Sequence, residues 1–100
     1  MTKEVPQLDE TFHAQARLGI MTLLFQWGEG DFPALKRALG LTDGNLGAHI
    51  RTLEDRGYVE VSKAFEGRKP RTTVRATAKG RTAFKDYLAT LERVIEMAKS

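Results

Sequence analysis

Residues 40–73 read GLTDGNLGAHIRTLEDRGYVEVSKAFEGRKPRTT, and this stretch decides the fold. In its first half Leu46, Ile50 and Leu53 recur at intervals of four and three, which is the spacing of one face of an α-helix. Thr42 is a residue type that caps a helix N-terminus, and Gly57 is the type that ends one. The first half therefore predicts a helix over residues 43–56 with a single apolar stripe.

The second half of the stretch changes from helical spacing to the partial alternation of a strand. Residues 58–65 and 72–75 are rich in valine, threonine and aromatic residues, which favour strands. Between them the segment 66–71, EGRKPR, combines glycine, proline and three cations, and it predicts a basic hairpin loop. The expected core residues of the hairpin are Tyr58 or Val59, Val61 and Val74, with the register left open.

Two helices are predicted before this stretch. Apolar residues at helical spacing place the first over residues 9–27, and Gly28 and Gly30 are expected to end it. Asp31 is suited to cap a short second helix, which Gly40 then ends. The second and third helices are consequently joined by a tight turn.

A long last helix follows the hairpin. Thr77 is expected to cap it, and an apolar stripe extends it to about residue 98, with Gly80 as its one weak point. Two short helices joined by a tight turn, the second followed directly by a hairpin, form a helix-turn-helix with a wing. The sequence therefore predicts a single α+β, mainly α domain over residues 1–100: a winged helix-turn-helix with a three-helix core, a β-hairpin wing and a long C-terminal helix.

The helix predicted over 43–56 would turn one face outward, where it can enter the major groove of DNA. On that face Gly44, Gly47 and Ala48 carry almost no side chain, which would allow a close approach to base edges and phosphates. Each glycine costs the helix about 1 kcal/mol relative to alanine. Close approach to a ligand is one explanation of that cost, and relief of crowding between helices is the other.

Positive charge is concentrated in the second half of the chain. The net charge is +3, yet residues 1–60 hold six Lys and Arg against nine Asp and Glu, whereas residues 61–100 hold ten against four. Residues 63–85 alone contain eight basic residues and one acidic residue. Such a cluster indicates a polyanionic partner, and the bland interpretation is a solvated face.

The outward helix face and the basic loop together give the candidate DNA contacts. Asn45 and Arg51 have the donors that read adenine and guanine edges, and threonine hydroxyls at either end of the face can bind phosphate. Arg68 and Lys69 are expected to neutralise phosphates. The predicted DNA-binding residues are Thr42, Gly44, Asn45, Gly47, Ala48, His49, Arg51, Thr52, Arg68, Lys69 and Arg71.

Five segments form a recognisable set: LGIMTLL at 18–24, FPALKRALGLTDGNL at 32–46, HIRTLEDRGYV at 49–59, FEGRKPRTT at 65–73 and TAKGR at 77–81. Together they resemble the small winged-helix regulators of bacteria and archaea related to the MarR and ArsR families. The resemblance implies a homodimeric transcription regulator whose third helix reads a major groove and whose wing touches the backbone or minor groove. The chain departs from that pattern in having no proline near Gln15 and none of the cysteine or histidine clusters of metal-responsive ArsR members.

The first and last helices carry more apolar surface than a small three-helix core can absorb. This surplus predicts a homodimer formed by residues 9–27 and 77–98, the other interpretation being that these residues cover the domain's own core. Twofold symmetry would place two recognition helices about one DNA turn, ~34 Å, apart, on a pseudo-palindromic operator. The predicted interface residues are Phe12, His13, Phe84, Leu88, Leu91 and Ile95.

We expect a sequence-specific regulator of transcription that binds double-stranded DNA and acts as a repressor by competing with polymerase. The alternative is a winged-helix interaction module whose third helix or basic loop binds an acidic protein. A small-molecule effector pocket lined by Trp27, Phe84 or Tyr87 is a further hypothesis, with plain core packing as the other interpretation of those rings.

The composition excludes several other classes of protein. The chain has no cysteine, and neither His13 nor His49 has a partner at ligand spacing, so no metal site and no cofactor are expected. No catalytic motif is present, so no enzyme is expected. No apolar run approaches the ~20 residues of a membrane span, and residues 1–20 contain no secretory signal, so a cytoplasmic location is expected.

Overall fold

The computed structural model describes residues 5–100, in which four α-helices pack together with a small antiparallel sheet. This is the α+β, mainly α arrangement that the sequence predicts. A single 3-10 turn precedes the first α-helix. In chain order the elements are the 3-10 turn Glu10–Phe12, α1 Gln15–Trp27, β1 Glu29–Asp31, α2 Phe32–Leu39, α3 Asp43–Asp55, β2 Val59–Glu66, β3 Lys69–Ala76 and α4 Ala78–Lys99.

The three later helices begin at the residues predicted to cap them. Asp31 accepts a hydrogen bond from Ala34 N at 2.8 Å at the start of α2, and Thr42 accepts one from Asn45 N at 3.1 Å at the start of α3. Thr77 does the same for α4. These side chains satisfy backbone N–H groups that have no partner within the helix, so the predicted starts of α2, α3 and α4 are confirmed.

The prediction of one helix over 9–27 is wrong at its start. The chain makes the 3-10 turn, is extended at Ala14 with φ −70° and ψ 129°, and enters α1 only at Gln15. Asp9 explains the break, since its carboxylate accepts hydrogen bonds from Thr11 N at 3.0 Å and from Tyr58 Oη at 2.6 Å. The bond from Thr11 N caps the separate turn. Phe12 is thereby buried in the core and stacks on Tyr58 with ring centroids 5.3 Å apart.

The contact between Asp9 and Tyr58 favours one protonation state of each group. Burial raises the pKa of the Asp9 carboxyl, but the hydrogen bonds from Tyr58 Oη and Thr11 N outweigh it, and the pKa lies below its usual value. The same hydrogen bond raises the pKa of the Tyr58 hydroxyl. At neutral pH a charged carboxylate and a protonated phenol therefore hold the 3-10 turn against the connection between α3 and β2.

The sheet has three strands in the order β1-β3-β2, so the predicted two-stranded hairpin is incomplete. The third strand, β1, pairs Glu29 with Arg75 and Gly30 with Val74. Gly30 was expected to end a helix, whereas it is buried in this strand, and a Cβ there would lie 3.1 Å from Leu35 Cγ. A strand of three residues is too short to show alternation, so no strand signal is present at residues 29–31.

The hairpin of β2 and β3 is longer and its turn tighter than predicted. Pairing runs from Val59 opposite Ala76 out to Glu66 opposite Lys69, leaving only residues 67 and 68 in the turn. The predicted loop over 66–71 is therefore wrong. Gly67, at φ 65°, supplies the positive angle that a two-residue hairpin turn needs. Pro70 is tolerated in β3 because β1 reaches only residues 73–75 and no strand pairs with that side of the wing.

The core lies between the helices and the inner face of the sheet. Leu46, Ile50 and Leu53 of α3 are buried, as the predicted stripe requires, and Val59 and Val74 of the hairpin join them. The first half of α4 packs on this core and the second half extends beyond it, which gives the chain a long axis of 57 Å. No helix within residues 5–100 is long and apolar enough to span a membrane.

Candidate nucleic-acid interface

Helix α3 presents a smooth outer face opposite its buried stripe. Gly44, Asn45, Ala48 and Arg51 are exposed there, and Gly47 is half-buried at its edge. The stripe docks on α1 and α2, so the outer face has to point away from the domain. The predicted division of α3 into a buried and an outward side is thus confirmed for these residues.

The two glycines of this face have no packing role within the domain. A Cβ built on Gly44 or Gly47 would meet no atom within 4 Å, leaving aside its chain neighbours and the backbone of its own helix. Neither backbone has a positive φ, so alanine would be accommodated without strain. Relief of crowding between helices is therefore excluded as the explanation for Gly44 and Gly47.

His49 lies at the border between the outer face and the apolar stripe, and its predicted contact with DNA stays a prediction. It is half-buried at the edge of the apolar stripe, and its Nδ1 lies 3.1 Å from Arg17 Nη1 of α1. An arginine has donors only, so the guanidinium donates and His49 Nδ1 accepts. Arg17 Nε also donates a hydrogen bond to the Thr11 carbonyl at 2.6 Å, so one guanidinium connects α3 to the 3-10 turn that precedes α1.

The threonines at the two ends of α3 already have backbone partners. Thr42 Oγ1 accepts Asn45 N, and the half-buried Thr52 donates from Oγ1 to the Ala48 carbonyl at 3.2 Å. Thr42 is exposed and its oxygen can still bind a further donor or acceptor. Contact of either hydroxyl with phosphate stays a prediction.

A groove of about 590 Å³ separates α3 from the wing. It brings together two elements that the sequence could only place in order along the chain. Arg51 and Gly47 line it from α3, while Lys63 and Thr72 line it from the wing. The complete lining is Phe32, Gly47, Ile50, Arg51, Glu54, Val61, Lys63 and Thr72. Helix and wing therefore face the same side of the molecule.

The wing carries three exposed cations without an acidic partner. Lys63, Arg68 and Lys69 are exposed, and none of them has an ion pair among the residues that the structure describes. Lys63 stands on β2, whereas Arg68 and Lys69 stand at the turn. Unpaired cations at the end of a projecting hairpin can neutralise a polyanion without first breaking an ion pair.

Arg71 differs from these three cations because two carboxylates hold it. Its guanidinium lies 3.6 Å from Asp31 Oδ2 and 3.2 Å from Glu66 Oε2. Asp31 also caps α2, so Arg71 ties the wing to the start of that helix. The side chain is half exposed, and its predicted contact with DNA stays a prediction, but the geometry gives it a positioning role first.

Three further cations of the basic segment have other partners, and the last, Lys85, is exposed on α4. Arg75 pairs with Glu60 across the hairpin, with Nε 3.1 Å from Oε1. Lys79 Nζ lies 5.7 Å from the centre of the Tyr58 ring, and the Arg81 guanidinium lies 5.5 Å from the Phe25 ring. The charge cluster seen in the sequence is consequently divided into an available group at the wing and a structural group near the core.

The predicted dimer residues separate into buried and exposed sets. Phe12 and Phe84 are 0% and 1% exposed within one chain, so the prediction that they form an exposed patch is wrong. They belong to an aromatic cluster with Tyr87, and the rings of Phe12 and Phe84 are 5.2 Å apart. The exposed or half-buried remainder consists of His13, Leu88, Leu91 and Ile95.

The aromatic cluster also bears on the predicted effector pocket. Phe84 and Tyr87 are buried against each other and Phe12, while Trp27 is 44% exposed at the end of α1. Phe84 and Tyr87 are therefore core residues, as the packing interpretation has it. That the protein binds a small-molecule effector stays a prediction. No group of three or more potential ligand side chains that could hold a metal ion occurs in the described part of the chain.

Sequence reasoning missed Arg17, Lys63 and Asp31 as members of this site. Lys63 had a signal, because it stands two residues after Val61 and so shares its face of the strand. Arg17 and Asp31 had none, because each acts through a partner far away in the sequence, His49 and Arg71 respectively.

Comparisons with known proteins agree with this geometry. A family model described as a winged helix DNA-binding domain matches residues 16–95. The uncharacterized protein MJ0432 of Methanocaldococcus jannaschii is 40% identical over 77 residues, which are 77% of this chain and 84% of that protein. The solved structure of a transcriptional regulator homologue from Pyrococcus horikoshii OT3 is similar with a TM-score of 0.85 and 36% identity, over 92% of this chain and 91% of that chain.

A more distant solved structure shares the fold. It is described as a transcriptional regulator of the MarR family from Enterococcus faecalis V583, and it matches with a TM-score of 0.75 over 97% of this chain and 96% of that chain. The identity is 23%, so the likeness concerns the fold alone. The fold expected from the sequence resemblance is thereby confirmed.

Proposed function

The chain belongs to the family of winged helix DNA-binding domains, and on that premise we propose that it is a sequence-specific regulator of transcription that binds double-stranded DNA. Helix α3 lies in the major groove, and the β2–β3 wing contacts the backbone or the minor groove. The regulator acts as a homodimer and as a repressor.

One observation carries this proposal. Gly44 and Gly47 weaken α3, and nothing in the domain requires them. They lie on the same outer face as Asn45 and Arg51, whose side chains suit base recognition. An outward helix face with small side chains, flanked by hydrogen-bond donors, supports close docking in the major groove of DNA. The groove on the protein between α3 and Lys63 supports a duplex that touches the helix and the wing together.

The wing cations provide the first test. Replacing both Arg68→Ala and Lys69→Ala removes two unpaired charges at the turn, and we expect weaker binding to every duplex. The slope of log K against log salt concentration should fall in magnitude by about 2, since each lost phosphate contact lowers it by about 1. Fluorescence anisotropy titrations on random and genomic duplexes at several salt concentrations measure both quantities.

A matched control separates local contact from overall charge. The pair Lys85→Ala and Lys99→Ala removes the same two charges from exposed positions of α4, and it should leave the slope nearly unchanged. An equal effect of the two pairs would reduce the wing to a share of the net charge and contradict its role. Binding that is absent for the intact chain even at low salt would contradict the whole proposal and favour an acidic protein as the partner.

The homodimer rests on the free half of α4. Leu88 is 37% exposed and Ile95 is 42% exposed, with the half-buried Leu91 between them, and these three share one face of the helix because they are spaced by three and four. The face continues that of the buried Phe84 outward beyond the core. A second copy packing there would cover an apolar stripe that the domain itself leaves open.

We therefore expect the pair Leu88→Asp and Ile95→Asp to convert the protein from a dimer into a monomer of 11.2 kDa. Sedimentation velocity at micromolar concentration measures this change. Met97→Asp is the control, because Met97 is 48% exposed but lies nine residues after Leu88, half a turn around the helix. If the unaltered chain sediments as a monomer, the dimer and the pseudo-palindromic operator that follows from it are both wrong.

A further inference from the structure

The wing carries an exposed aromatic ring close to its turn. Phe65 of β2 is 76% exposed, a larger fraction than any other large apolar side chain in the described residues. The register pairs it with Pro70 of β3, so two apolar side chains stand opposite each other on one face of the hairpin. A phenylalanine exposed to this extent contributes little to the stability of the domain, and such an exposed apolar side chain is typical of a contact with a partner.

Strand alternation fixes the face that carries this ring. Val59 is buried and Val61 is half-buried on the inner face of β2, so Lys63 and Phe65 continue the same face toward the turn. Lys63 lines the groove opposite Arg51 of α3. By alternation Phe65 follows Lys63 one step nearer the turn, beyond that groove, and its exposed ring also borders a shallow surface depression beside Glu29 and Arg71.

The charges around Phe65 indicate what can cover it. Lys63 precedes it on the same face, Arg68 and Lys69 follow it at the turn, and none of the three has an ion pair in the described residues. The adjacent carboxylate of Glu66 is paired with Arg71 at 3.2 Å, so its charge is balanced. A second wing of the same chain would bring these unpaired cations together and is disfavoured. A DNA minor groove offers phosphates to the cations and apolar sugar walls to the ring, which matches both features.

We propose that Phe65, supported by Pro70, enters the minor groove as an apolar wedge that partly unstacks one base step. The inference rests on the proposed binding of DNA and adds a mechanism of selection to it. Opening a step is easier where stacking is weak, as at pyrimidine–purine steps, so the wing would favour deformable sequence without hydrogen bonds to bases.

Phe65→Ala tests the wedge by anisotropy titration over a range of salt concentrations. We expect about ten-fold weaker binding, corresponding to the lost burial of much of a phenylalanine ring, with an unchanged salt slope. Lys63→Ala, a neighbour on the same face, should instead lower the slope by about 1. Phe65→Ala binding as tightly as the unaltered chain would overturn the wedge while leaving DNA binding intact.

A second readout reports on the DNA itself. In duplexes that carry 2-aminopurine at successive steps, the unaltered protein should raise the fluorescence at one pyrimidine–purine step, and Phe65→Ala should not. Equal signals from both proteins would overturn the wedge. If the unaltered chain fails to bind any duplex at low salt, both the wedge and the proposed function are wrong. If Phe65→Ala changes the sedimentation of the protein without DNA, the ring belongs to a protein interface and the wedge is wrong.

Discussion

Gly80→Ala is expected to destabilise the protein by roughly 3 kcal/mol and to lower its melting temperature by roughly 12 °C or more. A Cβ at Gly80 would collide with the main-chain oxygen of Tyr58 and would lie 2.7 Å from the carbonyl carbon. That carbonyl also accepts a hydrogen bond from Thr77 N at 3.0 Å, so it is fixed in place. Thermal and urea unfolding measure the loss of stability.

Gly19→Ala is the matched control for this prediction. Gly19 lies within α1, and a Cβ there would come within 2.7 Å of Leu39 Cδ2, the end of a side chain that can rotate away. Both substitutions gain about 1 kcal/mol of helix propensity, so their difference isolates the collision with a backbone. Removing side-chain atoms in Tyr58→Ala/Gly80→Ala should not restore stability. If Gly80→Ala were as stable as Gly19→Ala, the close packing of α4 on the Tyr58 backbone would be wrong.

Gly80 also illustrates which parts of the fold the sequence predicts. The starts of α2, α3 and α4 have local signals, because each capping side chain accepts a hydrogen bond from an N–H group at most three residues away. Sequence reasoning identified Gly80 as the weak point of the last helix. The structure gives the reason for the glycine, which is the Tyr58 carbonyl in the connection between α3 and β2, and no local pattern contains that contact.

The same distinction between local and remote contacts runs through the candidate site. The outward position of Gly44, Asn45 and Arg51 follows from a 3.6-residue period once the buried stripe is recognised. His49 lies at the border of that stripe, and the side chain that it contacts, Arg17, is 32 positions away in the sequence. Neither partner carries a mark in the sequence that would connect them.

The wing shows a similar limit for charge counting. The basic segment predicts a polyanion partner, yet a count of charges treats Arg71 and Lys69 alike. The structure separates them, because Arg71 lies between Asp31 and Glu66 while Lys69 has no ion pair among the described residues. The pairing depends on β1 bringing Asp31 beside β3, and that strand was itself missed from the sequence.

The double substitution Gly44→Ala/Gly47→Ala is expected to make the protein more stable and to weaken its binding to DNA. Each alanine should add up to about 1 kcal/mol to the free energy of unfolding, because it favours the helix and meets open space. Two added methyl groups on the face that enters the groove would hold α3 away from the base edges. We expect binding to weaken about ten-fold or more, which corresponds to roughly 1.4 kcal/mol.

Urea unfolding and anisotropy titration on the same preparations measure the two effects, and their opposite signs make the test sharp. A loss of stability would mean that the glycines serve packing after all, against the open space around them. Higher stability with unchanged affinity would mean that α3 does not approach DNA closely, and the observation on which the proposed function rests would be lost. Gly19→Ala, which gains helix propensity away from α3, should leave the affinity unchanged and shows that stabilisation alone does not weaken binding.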